Sequence, residues 1–370
     1  MPRIAFLQLG SFSHINEALV RELRPQFPEH ELDVLDLGPV LRSPRTLART
    51  APGALIEHRG RALRSRGALR DALETGSATF AALSARASAH VRARTDTAFS
   101  LQTQSLFDAA VGGTPHFVYT DHTALANRHY EHVGQAPHFP ARWLARERGI
   151  YDHAACTFVT GANVASSLRD DYGVPDGRRE VVLAGIGVTP PAGVEHRSYA
   201  GRRLVFVGVD WQRKGGPELI AALDRLAGRH PDLSLTVVGC EPPVQRPYLR
   251  VVGRIPAAAV AEHLEQATAF VLPARLEPAG LAYAEAAAFG LPVVATATGG
   301  IPDRVHHEET GLLVPPGDVD ALTQALDRVL GSEDLRRELG QAGRRLAAER
   351  FTWRAVTAAI ADGIRARLTA

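Results

Sequence analysis

The chain has 370 residues, 45% hydrophobic and 22% charged, with 42 Lys+Arg against 40 Asp+Glu and two cysteines. That length suits two domains of ordinary size, and the apolar content is enough for proper cores. A net charge of +2 gives no reason to bind nucleic acid, no apolar run is long enough to span a bilayer, and Cys156 and Cys240 form neither a disulfide framework nor a metal spacing.

MPRIAFLQLG lacks the parts of a signal peptide and reads as a first strand over Ile4–Leu9, so the cytoplasm is the expected location. The turn at Gly10, Ser11, Phe12, Ser13 and His14 leads to a helix from about Asn16 to Arg24. Strand, glycine turn and helix open a doubly wound sheet, although the glycine spacing is not that of a dinucleotide fingerprint. Leu32–Leu37 reads as the second strand. From about Arg42 to Arg94 the composition predicts helices with loops, and Arg59, Arg61, Arg64, Arg66 and Arg70 crowd one stretch. That stretch reads as a solvated face, or else as a peripheral contact with an anionic membrane; Gly60 and Gly67 interrupt it. Phe117–Thr120 is a strand that delivers Asp121, His122 and Thr123, then Asn127, to the end of a sheet where ligands of parallel sheets bind. A helix around Leu144–His153, a strand over Ala155–Thr160, a helix over Asn163–Tyr172 and a strand over Val181–Leu183 complete the first domain. The turn-rich stretch near 185–202 reads as the linker.

The second domain opens with the strand Leu204–Val207, then Gly208, Val209, Asp210, Trp211, Gln212, Arg213, Lys214 and paired glycines, with a helix from Pro217. Lys214 is the only lysine in the chain. Arginine replaces it everywhere else, so this position is nominated as one that needs a compact, strongly hydrated point charge. Strands follow over Leu233–Gly239 and Leu249–Val252, then a loop of Gly253, Arg254, Ile255 and Pro256. The helix Ala257–Ala267 and the strand Ala269–Pro273 lead to EPAGLAYAEAAAFGLPVVATATGGIPD, Glu277 to Asp303. Pro278 suits the first turn of a helix. The N–H groups near Ala279, Gly280 and Leu281 would then lie at a helix N-terminus, a seat for phosphate. Glu285 is expected two turns further along. A small strand at Thr310–Val314, helices at about 318–331 and 333–348, and a helix over Phe351–Leu368 end the chain. Asp318 and Asp320 read as the N-cap and first-turn acid of a helix rather than a metal pair. His306, His307, Glu308 and Glu309 form a charged turn without metal-site spacing.

Two glutamates seven residues apart, Glu277 and Glu285, in their Gly-Leu and Gly-Leu-Pro-Val-Val-Ala-Thr context, resemble the signature of family-4 retaining glycosyltransferases. The resemblance implies an α/β chain of GT-B fold: two Rossmann-like doubly wound domains facing a cleft, over about 1–190 and 200–351. It also implies a last helix, about 352–370, crossing back to the first domain. It assigns Glu277 to the donor sugar, the N–H groups of Gly280 and Leu281 to the diphosphate, Glu285 to the ribose and His122 to the hexose. Lys214 would hold the diphosphate and the Ile255 loop the base. Gly10 would contact donor or acceptor, or serve only as a turn. Relatives carry an arginine directly after the first glycine of the second domain, where this chain has Val209; Arg213 is the candidate replacement. The implied reaction moves a hexose-type sugar from a nucleotide-diphosphate sugar, UDP- or GDP-linked, to a hydroxyl acceptor, without cofactor or metal. A sugar-nucleotide epimerase or hydrolase of the same architecture, and a non-catalytic sugar-nucleotide-binding protein, are the rival readings.

Overall fold

The structure, a computed structural model, describes residues 1–10, 12, 15–58, 60–129 and 139–369. Ser11, Ser13, His14, Arg59, His132 and His138 lie outside the described residues. The chain divides into two compact units: among the described residues the first holds 1–129, 139–182 and 357–369, and the second holds 183–356.

In the first unit the elements run β1 (Arg3–Gln8), α1 (Ile15–Leu23), β2 (Glu31–Asp36), α2 (Gly38–Leu41), α3 (Pro44–Glu57), α4 (Arg66–Glu74), α5 (Ser77–Arg92), β3 (Thr97–Thr103), β4 (His116–Thr120), α6 (Ala141–His153), β5 (Cys156–Val159), α7 (Ala162–Asp170) and β6 (Arg179–Val181). The six strands form one parallel sheet in the order β2-β1-β3-β4-β5-β6. Strand order reverses between β1 and β3, so the ligand crevice expected of such a sheet opens where the loops after these strands emerge. Apolar side chains make the core in two adjoining clusters, one around Leu7, Leu83 and Phe107 and one around Val118, Trp143 and Ile150.

β3 has no counterpart among the predicted elements. Ser100, Gln102 and Thr103 are buried in it and break the apolar run that signals a parallel strand. Their polar groups are accommodated internally: Ser100 Oγ lies 2.8 Å from His116 Nδ1, and Gln102 donates to Phe107 O and accepts from Ala109 N–H. Gly67, expected to break the basic stretch, lies inside α4; Gly60, with φ of +77°, does interrupt it.

The second unit contains β7 (Arg203–Val207), α8 (Gly216–Leu226), β8 (Ser234–Val238), β9 (Leu249–Gly253), α9 (Ala257–Gln266), β10 (Ala269–Leu272), α10 (Leu281–Ala288), β11 (Val293–Thr296), β12 (Gly311–Val314), α11 (Val319–Gly331) and α12 (Glu333–Arg350). Its parallel sheet runs β12-β11-β10-β7-β8-β9. This is the usual mononucleotide-binding order, with the switch point between β7 and β10. Fully buried strands β10 and β11 read AFVL and VVAT, the continuous apolar pattern of central parallel strands. Asp318 caps α11 by accepting the Ala321 N–H at 2.8 Å, and Glu308 pairs with Arg328, as their settings in the sequence suggest.

The second unit begins at Leu183. The predicted linker is bonded into the second unit: Arg197 donates to the carbonyls of Phe289 and Ala267, and Tyr199 donates to Gly290 O at 2.9 Å. The last helix, α13 (Trp353–Leu368), contributes its residues from Thr357 onward to the first unit. There Gly363 gives room to Phe158, and Arg367 donates to Gly177 O and Glu180.

Candidate active site

The loops after β7 and β10 meet because two glycines allow it. Gly215 caps α8 with φ of +74°, and a Cβ there would stand 1.9 Å from Pro273 O at the end of β10. A Cβ on Gly208 would press on the Lys214 stem at 3.1 Å. The backbone then locks: Lys214 N–H donates to Asp210 O, Gly216 N–H to Trp211 O, and Arg275 N–H to Arg213 O.

This approach places Lys214 against Glu277. Both are buried, and the ammonium donates to Glu277 Oε2. Glu277 Oε1 accepts the Gly280 N–H at 3.3 Å, and its carbonyl accepts the Gly300 N–H. One carboxylate thus joins the chain's single lysine to the mouth of a helix. The helix begins later than the proline suggests. Gly280 is its N-cap in the left-handed region, φ +69°, and Leu281 is its first residue; Pro278 and Ala279 belong to the preceding turn. The orphan N–H groups of α10 therefore start at Leu281.

Consequently Glu285 lies about one turn from the helix start, not two, at 1.5 Å per residue. Its carboxylate accepts the Gly187 N–H at 3.1 Å. Burial raises its pKa, while N–H donation from Gly187 and Val188 opposes that rise. Arg213 is held by Asp210 Oδ1 at its N–H and by Leu276 O at Nη1, 3.1 Å away. Val209 is 61% exposed, and Ile255 packs at the edge of the core beyond β9.

Arg304 belongs to this site and the sequence reading missed it. Its side chain is fully buried; Nε donates to Ala279 O and Nη1 to Ala184 O, and the guanidinium stacks 4.9 Å from the Phe351 ring centre. It ties the turn before α10 to the segment that occupies Glu285. In sequence it sits beside His306 and His307 and looks like part of a charged surface turn.

In the first unit, Gly10 adopts φ of +67°, its N–H donating to Asp36 Oδ1 and its carbonyl accepting from buried Asn16. Both main-chain groups are engaged in shaping the turn after β1. His122 leaves β4 in a turn where its Nε2 is 3.1 Å from Asn127 Oδ1, and burial lowers its pKa. Asp121, His122, Trp143 and Glu147 share the lining of a cavity of about 120 Å³. Glu147 is a second functional candidate that the sequence did not single out.

Residues 198–346 match the family described as glycosyl transferases group 1. A GDP-mannose-dependent alpha-(1-6)-phosphatidylinositol monomannoside mannosyltransferase of Mycolicibacterium smegmatis is 35% identical over 173 residues, 40% of this chain and 44% of the relative. A glycogen synthase of Mycobacterium tuberculosis is 29% identical over 66% of this chain and 62% of its own length. The chain therefore spans less than two-thirds of the length of these curated relatives. A sucrose-phosphate synthase from Thermosynechococcus elongatus superimposes with a TM-score of 0.71 at 21% identity, covering 100% of both chains. Together with the two six-stranded parallel sheets, these likenesses show a chain of GT-B fold whose residues 198–346 match the family described as glycosyl transferases group 1.

Proposed function

We propose that the protein is a retaining glycosyltransferase that moves a hexose from a nucleotide-diphosphate sugar to a hydroxyl acceptor without a metal. The observation that carries this reading is the cluster of Lys214, Glu277 and the Gly280–Leu281 helix mouth at the switch point of the second sheet. That is where a parallel sheet of this order binds ligands, and it combines a point charge with a helix N-terminus, both suited to a diphosphate.

The chemical difficulty is separation of charge. As the bond from the anomeric carbon to the diphosphate oxygen breaks, carbon becomes cationic and the diphosphate gains negative charge. Lys214 and the first N–H groups of α10 would stabilise the leaving group by fixed dipoles and charge. Arg213 would add a second positive charge. Glu277, next to the sugar, would hold a hydroxyl and favour the oxocarbenium-like state, and His122 would contact the hexose. The acceptor oxygen forms the new bond on the face the diphosphate leaves, and its proton passes to a leaving phosphate oxygen. No protein nucleophile is required. Glu285 would accept the ribose hydroxyls, displacing or sharing with the Gly187 and Val188 N–H groups, and the Ile255 loop would carry the base. Gly10 shapes the β1 turn and would touch substrate through that turn.

The names of the relatives bring GDP-mannose and a mannosylated phosphatidylinositol into consideration as donor and acceptor. A peripheral membrane contact through Arg59–Arg70 fits such an acceptor. Ile56 and Leu63 are 76% and 78% exposed, and Arg61, Arg64 and Arg66 are exposed beside Leu63 in sequence, a mix of apolar and basic groups that suits anionic bilayers. Among the described residues no helix is long and apolar enough to cross a membrane; the proposed setting is the cytoplasmic face.

A thermal-shift screen against UDP-, GDP-, ADP- and TDP-sugars tests the donor class. Incubation of the best donor with and without hydroxyl acceptors then separates the alternatives. Transfer that requires acceptor supports the proposal. Product from donor alone indicates an epimerase or hydrolase, and binding without any product indicates a non-catalytic protein.

A further inference from the structure

A buried carboxylate organises the turn that carries His122. Glu147, on α6, has no ion-pair partner among the described residues, and its two oxygens face four donors. Oε1 accepts from Ser105 Oγ at 2.9 Å, from the Ala124 N–H at 3.1 Å and from Tyr151 OH at 3.2 Å; Oε2 accepts from Tyr172 OH. An ionised carboxylate offers about four acceptor sites, so this one is saturated. Through Ala124 it fixes the turn directly. Through Tyr172, whose oxygen accepts the Leu125 N–H at 3.2 Å, it fixes the turn again. Ala124 O in turn accepts from Asn127 Nδ2, and Asn127 Oδ1 faces His122 Nε2. An unbroken set of hydrogen bonds therefore runs from the Glu147 carboxylate to the His122 imidazole.

We propose that Glu147 is the positioning residue for His122, and that a proton placed on its carboxylate slackens the 122–127 turn and lowers turnover. This rests on the transferase reading given above. A proton on either oxygen sets a donor against four donors, so one of Ser105, Tyr151, Tyr172 or Ala124 must give up its bond. Tyr172 is the weakest point, because its oxygen already accepts from Leu125. Burial raises the pKa of Glu147 to about 7, against the hydrogen bonds from Tyr172, Ala124, Ser105 and Tyr151, so the switch falls within the physiological range. The charged groups around it do not override it. Arg148, on the same helix, donates to the carbonyls of Asp171 and Tyr172 and stacks on the Tyr172 ring, and Arg146 stacks on Phe80. Asp171 accepts from Ser167 Oγ, and Asp121 and His122 share the adjoining cavity. Among the described residues the remaining titratable neighbours are the phenols Tyr151 and Tyr172, both raised by burial.

The test is Glu147→Gln, which imitates the protonated carboxyl. At pH 8 kcat/KM for transfer should fall about tenfold or more, the scale expected of misplaced catalytic groups, while affinity for UDP or GDP stays unchanged. The wild type should show an acid limb with an inflection near pH 7 that the variant lacks. A variant that keeps the limb overturns the proposal. Amide exchange over 122–127 decides the point without any activity assay. The variant at pH 8 should exchange faster than wild type, as wild type does at pH 6 after correction for intrinsic rates; equal protection at pH 8 overturns the proposal even if no transfer is ever detected. If Glu147→Gln does not fold, Tyr172→Phe is read the same way, since it removes one donor to the carboxylate and the acceptor of Leu125.

Discussion

Lys214 meets Glu277 across 63 residues of sequence, its ammonium on one carboxylate oxygen while the other oxygen accepts the N–H of Gly280. The pair is buried and sits at the joint between two loops. Removing either partner leaves the other charge in a poorly solvated place, which typically costs about 3–5 kcal/mol. Lys214→Ala and Glu277→Gln should therefore each lower the melting temperature more than the double variant does. Additive losses would show that the contact contributes nothing to folding.

The same ammonium is expected to stabilise the leaving diphosphate. Removal of one preorganised donor to a developing anion costs about 3–4 kcal/mol, so turnover of Lys214→Ala should fall at least about a hundredfold. Normalising turnover to the folded fraction, read from the melting curve of each protein, separates chemistry from stability. A near-normal rate would remove Lys214 from the reaction.

Glu285 should govern nucleotide affinity. Loss of a charged hydrogen-bond partner costs about 1.5–3 kcal/mol, so Glu285→Gln should weaken UDP or GDP binding at least about tenfold. Its pH signature is independent. Burial raises the folded pKa above 4.5, the ordinary glutamate value, so its stabilising contribution is present below that value and is lost as pH rises through the folded pKa. The wild-type melting temperature should fall relative to Glu285→Gln as pH climbs from 4.5 toward neutrality. Parallel curves would contradict the burial argument.

His116 should act in the opposite direction. Burial pushes its imidazole down from 6.5 to about 4, so its contribution is present above pH 6.5 and is lost as pH falls through about 4. The shift corresponds to a loss on the order of 3 kcal/mol by pH 4. A His116→Gln variant, whose amide can still meet Ser100, should show a flatter acid melting curve. An unchanged acid slope would count against it.

Packing of α12 on the second unit depends on the absence of a side chain at Gly340. A Cβ there would lie 2.2 Å from Gly290 O and 2.8 Å from the Tyr199 ring. Gly340→Ala should cost about 1–3 kcal/mol by overpacking, whereas Gly331→Ala, with nothing within 4 Å, should be neutral or slightly stabilising. Calorimetric melting of the two variants checks the contrast.

Both sheets were largely legible because parallel strands buried on both faces are written as short apolar runs, as at Phe270–Leu272 and Val293–Ala295. β3 was not, because Gln102 and Ser100 bond within the interior instead of marking a surface. The start of α10 was displaced because Gly280, in the left-handed region, and not Pro278, sets the cap. Lys214 stood out through composition alone. Glu147 did not: among the arginines of α6 a glutamate reads as solvated, and its burial comes from Ser105, Tyr151 and Tyr172, which no local pattern brings together. Arg304 was hidden in the same way, since its partners are main-chain carbonyls at 184 and 279.

The most direct test of a diphosphate held by Lys214 and the mouth of α10 is titration calorimetry. UDP, GDP and their monophosphates would be titrated into the wild type, Glu277→Gln, and Lys214→Ala in the Glu277→Gln background. One diphosphate should bind the wild type and Glu277→Gln, and lose about tenfold to a hundredfold in affinity when Lys214 is removed as well, while its monophosphate is little affected. Equal diphosphate affinity with and without the lysine would contradict the account.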